Sequence, residues 1–152
     1  MKNTTLLILL TLFITSCGDK TREEITERYD NGNKKTIMKF IGEGETEQMI
    51  ERLVYSQSGD TLGLEYYNSK GEKDGKWIGY IDDSYINFTY FVKGNYKDGK
   101  EDGKWTYFYR KNGQIEREIT YKDGKLDGKW TNYNERGTIL FEGNYKDGEL
   151  IE

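Results

Sequence analysis

The chain of 152 residues contains no alanine, no proline and no histidine, and its only cysteine is Cys17. Without histidine, neither a Ser–His nor a Cys–His catalytic pair can form. Zinc, copper and iron also lose their usual nitrogen ligand, and a single cysteine excludes an intramolecular disulfide. Basic residues number 23 against 27 acidic ones, and phosphate binding needs a basic surface, so nucleic acid is not an expected partner. We predict a protein that is not an enzyme and has no cofactor or metal.

Glycine and aromatic residues are abundant instead: 18 glycines, 13 tyrosines, six phenylalanines and three tryptophans. A chain with many glycines and no alanine is a poor helix former, whereas aromatic residues favour strands. The mean hydropathy of −0.92 argues against a thick aliphatic core. The buried face must therefore be built largely from rings, each of which covers much area. This composition predicts an all-β chain with a thin sheet.

The start of the chain has the pattern of a bacterial lipoprotein signal peptide. Its apolar stretch runs from Leu6 to Ile14. As a helix this stretch would be about 14 Å long, too short for ~30 Å of hydrocarbon, so cleavage is expected. The stretch ends in Ile14-Thr15-Ser16-Cys17, which resembles the lipobox, whose cysteine is diacylated. The alternative is an ordinary signal peptide followed by an incidental cysteine.

This interpretation divides the chain into a signal peptide over residues 1–16, a tether over residues 17–24 and a folded domain over residues 25–152. Lipid attachment at Cys17 would hold the exported protein at a bacterial membrane, because a diacylglyceryl cysteine carries enough acyl chains for stable anchoring. Gly18 follows the cysteine. By resemblance to known sorting signals, this favours the outer membrane or cell surface over the inner membrane.

A repeated phrase dominates the second half of the chain. It reads Tyr-Lys-Asp-Gly-Lys-Glu/Leu-Asp-Gly-Lys-Trp at Tyr96–Trp105 and again, 25 positions later, at Tyr121–Trp130. A looser copy ends at Trp77, and a truncated copy starts at Tyr145. A period in the twenties indicates stacked supersecondary units, each of which contacts its neighbours.

Each copy has the pattern of a β-hairpin. Lys104–Tyr109 places aromatic residues on one face at period two, and the Asn-Gly pair at 112–113 is a strong hairpin signal. The return strand Gln114–Tyr121 would carry Ile115 and Ile119 on one face. Similar turns are expected at residues 29–32, 57–60 and 133–137, and at Asp82–Ser84. This count predicts about five hairpins, and therefore about ten strands, in a meander.

The linking segments between hairpins contain aspartates that could be interpreted as calcium ligands. Two aspartates occur in each, at 98 and 102 and at 123 and 127, but lysines alternate with them. Calcium needs six to eight oxygens from converging ligands, and Asp-Gly pairs commonly supply turn geometry. We therefore interpret these segments as turns. The charged segment 146–152 is expected to protect an open sheet edge.

The repeated pattern also resembles a known family. The residues that carry the resemblance are Gly103-Lys104-Trp105 with Tyr107 and Tyr109, then Asn112-Gly113, then Tyr121-Lys122-Asp123-Gly124. They look like the MORN repeat, and more narrowly the bacterial MORN-variant repeat described as an antitoxin component. The resemblance covers roughly residues 25–150, although the first two units lack the Gly-Lys-Trp signature. It implies an elongated, single-layer antiparallel meander of about five stacked hairpins, with a scaffold or binding role.

The best candidate for a binding site is a row of aromatic residues at equivalent places in neighbouring hairpins. Its members are Trp77, Tyr80, Trp105, Tyr107, Tyr109, Trp130 and Tyr133. Their rings could stack on a peptide or a sugar, or they could be the core of the repeat itself.

Three functions fit these observations. The leading hypothesis is a non-catalytic, membrane-anchored scaffold that binds another envelope protein. The second is a carbohydrate- or peptidoglycan-binding module that uses the aromatic row. The third is an antitoxin-like or immunity-like protein that neutralises a toxin. The oligomeric state is left open.

Overall fold

The computed structural model describes residues 20–83 and 88–151. In these residues twelve strands form an open antiparallel sheet in meander order, which confirms the predicted fold class. Ten of the strands are long and make five hairpins, as expected, and two have only two residues each. The described residues contain one 3₁₀ turn, at Gly44–Thr46. None of the described residues forms a helix that is long and apolar enough to cross a membrane.

The chain divides into two compact units, one ending at Gly71 and the other beginning at Glu72. The first contains β1 (Thr21–Arg28), β2 (Lys34–Ile41), β3 (Gln48–Tyr55) and β4 (Thr61–Tyr67). The second contains β5 (Lys73–Asp83), β6 (Phe88–Lys97), β7 (Lys100–Glu101), β8 (Gly103–Phe108), β9 (Ile115–Lys122), β10 (Lys125–Tyr133), β11 (Ile139–Lys146) and β12 (Glu149–Leu150).

The first unit has a narrow apolar row across its four strands. Ile25 pairs with Ile37, Ile37 with Leu53, and Leu53 with Leu64, and Ile37 is buried. Charged residues on these strands pair across the sheet. On β2, for example, the Lys39 ammonium lies 2.9 Å from the Glu51 carboxylate. The unit therefore combines a thin apolar row with ion pairs.

The second unit has a core of aromatic and branched side chains on one face. Trp77, Val92, Trp105, Tyr107 and Ile119 are its buried members. They come from consecutive long strands, so the core extends across the sheet instead of between two layers. We call this side of the second unit the tryptophan face.

Two kinds of turn connect the strands. The long hairpins close as the Asn-Gly signal predicts: at β8–β9 the Tyr109 N–H donates to the Gln114 carbonyl, and the Gly113 N–H donates back to Tyr109. The links between hairpins are themselves tight turns. Asp98 and Asp123 have φ values of 47° and 51°, each followed by a positive-φ glycine, as type I′ hairpins require. The turn interpretation of these Asp-Gly pairs therefore agrees with the backbone.

Matching hydrogen bonds join successive hairpins within each unit, at the ends where the long turns lie. A turn tyrosine hydroxyl donates to a backbone carbonyl of the next hairpin at 2.7 Å, and a turn asparagine amide does the same nearby. We call this pair of bonds the joint. The joints connect Tyr29 to Tyr55 and Asn33 to Gln57 in the first unit, and Tyr109 to Tyr133 and Asn112 to Glu135 in the second.

Three expectations about element boundaries need correction. The predicted tether is too long, because Thr21–Glu24 belong to β1 and pair with β2. The turn expected at Asp82–Ser84 does not include its first two residues: Asp82 and Asp83 continue β5, paired with Thr89 and Phe88, and Ser84 lies outside the described residues. Asp127-Gly128, expected in a link, lies inside β10. In each case a short polar segment predicts a loop from sequence, but a neighbouring strand provides hydrogen-bond partners for its backbone groups.

A β-bulge explains a fourth difference. Tyr107 pairs with Arg117, but the next pair is Phe108 with Ile115, so Glu116 is an extra residue in β9. The extra residue moves Ile115 off the face that carries Ile119 and sets it opposite Phe108. The sequence pattern had placed Ile115 and Ile119 on the same face.

Candidate functional site

The predicted lipid-attachment residue Cys17 and the signal peptide lie outside the described residues. The aromatic row, in contrast, is described in full, and the structure divides it between two faces of the second unit. Trp77, Trp105, Trp130 and Tyr107 lie on the tryptophan face, whereas Tyr80 pairs with Phe91 on the opposite face. The seven residues therefore do not form a single row.

Trp77 and Trp105 pack against each other as the centre of the core. Their ring centroids are 5.6 Å apart in a stacked arrangement, and the side chains are 7% and 0% exposed. Gly94 lies between them on β6, where a Cβ would overlap the Trp105 indole. The Trp105 indole N–H donates to the Asn95 carbonyl at 3.1 Å. Since both rings are covered, neither has a free face on which a sugar or peptide could stack.

Trp130 is separated from this stack, although it occupies the equivalent position of the next hairpin. Ile119 on β9 pairs with Trp105 on one side and with Trp130 on the other. Trp130 is half-buried, with its ring 6.2 Å from Phe141 and 5.5 Å from Tyr145. Its indole N–H donates to the Asn132 side chain at 2.6 Å.

The tyrosines of the predicted row hold the hairpins together. The Tyr109 hydroxyl forms the joint to the Tyr133 carbonyl, and the Tyr133 hydroxyl donates to Glu118 at 3.3 Å. The Arg117 guanidinium lies 4.3 Å from the centre of the Tyr107 ring, an attractive cation–π arrangement. Burial raises the pKa of the Tyr107 phenol well above its usual value.

The face opposite the tryptophans carries a second aromatic row that the sequence analysis missed. Tyr80, Phe91 and Phe108 pack side by side with centroid distances of 5.4 and 5.7 Å, and the Lys93 ammonium lies over both phenylalanines. They border a shallow depression of about 310 Å³. The signal for this second row is the alternation along β6 and β8, since Phe91 precedes the core residue Val92 and Phe108 follows the core residue Tyr107.

Five of the large hydrophobic side chains that the second unit exposes lie at its last hairpin. Leu140 is 66% exposed, Ile151 61% and Phe141 37%, and Ile139 and Leu150 are also exposed. All five belong to β11, β12 or the residue that follows. We call these residues and the outer side of β11 the β11 edge. The charged segment 146–152 was expected to protect such an edge, but β12 pairs only with Tyr145 and Lys146.

The described residues contain no group of three or more cysteine or acidic side chains suited to a metal ion. The carboxylate of Asp127, one of those considered for calcium, instead accepts a bond from the Lys146 ammonium at 2.7 Å. This bond lowers the Asp127 pKa. The arrangement is that of a surface ion pair.

No protein-family model, curated protein or solved structure matches this chain. Its function must therefore be argued from its own residues.

Proposed function

We propose that this chain is a non-catalytic scaffold of the MORN-variant type, anchored to a bacterial envelope membrane and binding another protein through its second unit. The observation that carries the proposal is the β11 edge, where the last hairpin exposes five large apolar side chains, three at the start of β11 and two at Leu150 and Ile151. Contiguous apolar surface of this kind marks an interaction site. Five apolar side chains at a sheet edge fit the surface of a protein better than a small polar ligand.

The burial of the tryptophans favours a protein partner over a glycan. A glycan-binding row would need open ring faces on Trp77, Trp105 and Trp130, and the first two are covered. A toxin would be one kind of protein partner, so an immunity role is a special case of this proposal.

The test of partner binding compares one exposed residue at the β11 edge with one elsewhere. Leu140→Asp should abolish retention of a specific envelope protein on the immobilised chain, because a charge would be placed in the apolar contact. Tyr66→Asp, on β4, is the matched control and should retain it, since Tyr66 is 36% exposed and distant in sequence from the edge. Equal retention by both variants, or no specific retention by the wild type, would contradict the proposal.

The test of anchoring uses Cys17. Cys17→Ala should move the protein from the membrane pellet to the soluble fraction, and metabolic labelling with a fatty acid should mark the wild type alone. Wild-type protein that is already soluble would show that the lipoprotein part of the proposal is wrong, independently of partner binding.

A further inference from the structure

The lysine of the Gly-Lys-Trp signature forms the same ion pair in two hairpins of the second unit. In the hairpin of β8 and β9, Lys104 pairs with the carboxylate of Glu118, two residues from its register partner Thr120. In the hairpin of β10 and β11, Lys129 pairs in the same way with Glu142, at 2.7 Å. Both carboxylates are diagonal neighbours of the lysine across the two strands, within reach of long side chains. These ion pairs lie on the face opposite the tryptophans.

The hairpin of β5 and β6 departs from this pattern. Its signature lysine is Lys76, which pairs in register with Asn95. The position that Glu118 and Glu142 have in the other two hairpins is occupied here by Lys93, two residues before Asn95. Both lysines are exposed, and no acidic side chain among the described residues forms an ion pair with either of them. Two cations therefore lie where the other hairpins have a cation and an anion, and neighbouring like charges destabilise a sheet.

A depression of about 270 Å³ lies beside these two lysines. Its lining includes Lys76, Lys93 and Lys104, together with the polar residues Asn95 and Thr106. The register pairs between β6 and β8 end at Lys93 and Thr106, so the two strands separate next to the depression. Because only Lys104 already has an acidic partner, the lining is positively charged and complements an anion.

Lys93 connects this depression to the second aromatic row. Its ammonium lies 5.6 Å from the centre of the Phe91 ring and 5.4 Å from that of Phe108. Phe91 precedes Lys93 by two positions on β6, so the two side chains lie on one face, about 7 Å apart along the strand. In an extended ligand, side chains two positions apart have the same spacing and lie on the same side. A ring and a carboxylate at this spacing therefore match the aromatic row and the lysines together.

We propose that Lys76 and Lys93 bind a carboxylate of an extended acidic segment of a partner protein, whose aromatic side chain two positions away packs on Phe91 and Phe108. The precedent for the carboxylate is internal, because glutamate has the equivalent position in the other two hairpins. A phosphate or a lipid headgroup would supply an anion but no ring for the aromatic row. This inference rests on the proposed function, from which it takes a protein partner, and it names the chemistry of that partner.

The experiment uses the folded chain and the blocked peptide acetyl-Gly-Phe-Gly-Glu-Gly-amide, in which the ring and the carboxylate are two positions apart. Titration to millimolar peptide, followed by amide NMR, should shift the resonances of residues 76–78, 91–95 and 104–108. A peptide with glutamine for glutamate should bind about two- to tenfold more weakly, because two exposed ion pairs are lost. A peptide with alanine for phenylalanine should also bind more weakly, and added NaCl should weaken binding of the first peptide.

Lys93→Glu tests the site while keeping the fold. It introduces the residue type that the equivalent position has in the other two hairpins, and the new carboxylate should pair with Lys76. The melting temperature should therefore stay the same or rise, whereas peptide binding should weaken by at least about fivefold. Lys125→Glu is the matched control. It makes the same change of charge at the start of β10, outside the lining of the depression, and should leave binding unchanged.

Three results would overturn the inference: no shift at these residues, equal binding of the glutamate and glutamine peptides, or an equal loss of binding in Lys93→Glu and Lys125→Glu. Two further probes address other anions. If vesicles containing phosphatidylglycerol, or an oligogalacturonate, bind at these residues and the peptide does not, the site serves a lipid or a glycan and the inference is wrong.

The proposed function fails separately. If Leu140→Asp abolishes retention of the envelope protein but the peptide does not bind, the scaffold proposal stands and the carboxylate site is wrong. If the peptide binds at Lys76 and Lys93 but no envelope protein is retained, the carboxylate site stands without a scaffold role.

Discussion

At the scale of single residues, the second unit depends on a glycine. The Trp105 ring, which stacks on Trp77, lies against the backbone of β6 at Gly94, where there is no side chain. Interiors of this density tolerate little added volume. One methyl group would displace the Trp105 ring, which is fully buried.

Gly94→Ala should therefore lower the free energy of unfolding by about 1–3 kcal/mol, the usual cost of overpacking. The measurement is urea denaturation followed by tryptophan fluorescence. Gly79→Ala is the matched control, because a Cβ there meets only the outer atoms of the Trp77 ring, at 3.0 Å or more. An equal loss in both variants would show that Gly94 has no special role.

Buried phenols make stability sensitive to alkali. Burial raises the pKa values of Tyr107 and Tyr121 above the usual value and that of Tyr67 to about 12. Above pH ~10 the unfolded chain loses phenolic protons that the folded chain keeps, so stability should fall as the pH rises. The contribution is complete below the unfolded pKa and is lost as the pH rises through the folded value.

Melting temperatures measured from pH 8 to 11.5 should therefore decline most steeply above about pH 10. Tyr107→Phe removes one of these phenols and should make the decline shallower, whatever its effect at pH 8. A parallel decline in wild type and variant would contradict the assignment.

At the scale of elements, the joint explains how hairpins stay stacked in both units, although only the second unit contains tryptophan. In each unit a turn tyrosine donates its hydroxyl to a carbonyl of the next hairpin at 2.7 Å. The joint is present in the first unit, which has no tryptophan. Stacking therefore does not need the Gly-Lys-Trp signature.

Tyr109→Phe should cost about 1 kcal/mol, the net value of one hydrogen bond, and more if the Tyr133 carbonyl is left without a partner. Tyr29→Phe should cost about as much in the first unit. Chemical denaturation of the two variants measures the loss in the free energy of unfolding. Tyr66→Phe, at an exposed position of β4, is the control. A loss confined to one unit would show that the two joints are not equivalent.

The turns and strand types were predictable because they depend on local chemistry. The Asn112-Gly113 and Asp123-Gly124 pairs predict turns, and Gly113, Asp123 and Gly124 have the positive φ values that few other residues accept. The face of Ile115 was not predictable, because the bulge at Glu116 comes from cross-strand pairing and leaves no composition signal. One inserted residue reverses every side chain beyond it.

The candidate site was predictable only in part. The pattern correctly grouped the three tryptophans on one face, but it could not show that Gly94 lets two of them bury each other. Exposure at the β11 edge was hidden as well, because Ile139 and Phe141 look like core residues in sequence. Burial depends on which strand lies alongside, and sequence periodicity does not report that.

At the scale of the whole molecule, calcium should have no effect. In the described residues Asp98 and Asp123 sit at turn positions with positive φ, and Asp127 is paired with Lys146. A melting curve with millimolar CaCl₂ should match one with EDTA within about 1 °C, because a ligand that does not bind the folded state cannot stabilise it. A rise of several degrees would reveal a site.

The joint has an evolutionary consequence. Its acceptors are main-chain oxygens, at Tyr55 and Gln57 in one unit and at Tyr133 and Glu135 in the other. Every amino acid supplies such an oxygen, so the accepting hairpin can mutate its side chains without breaking the bond. The side chains of an accepting hairpin can therefore diverge between repeats while the bonds that join the hairpins are kept.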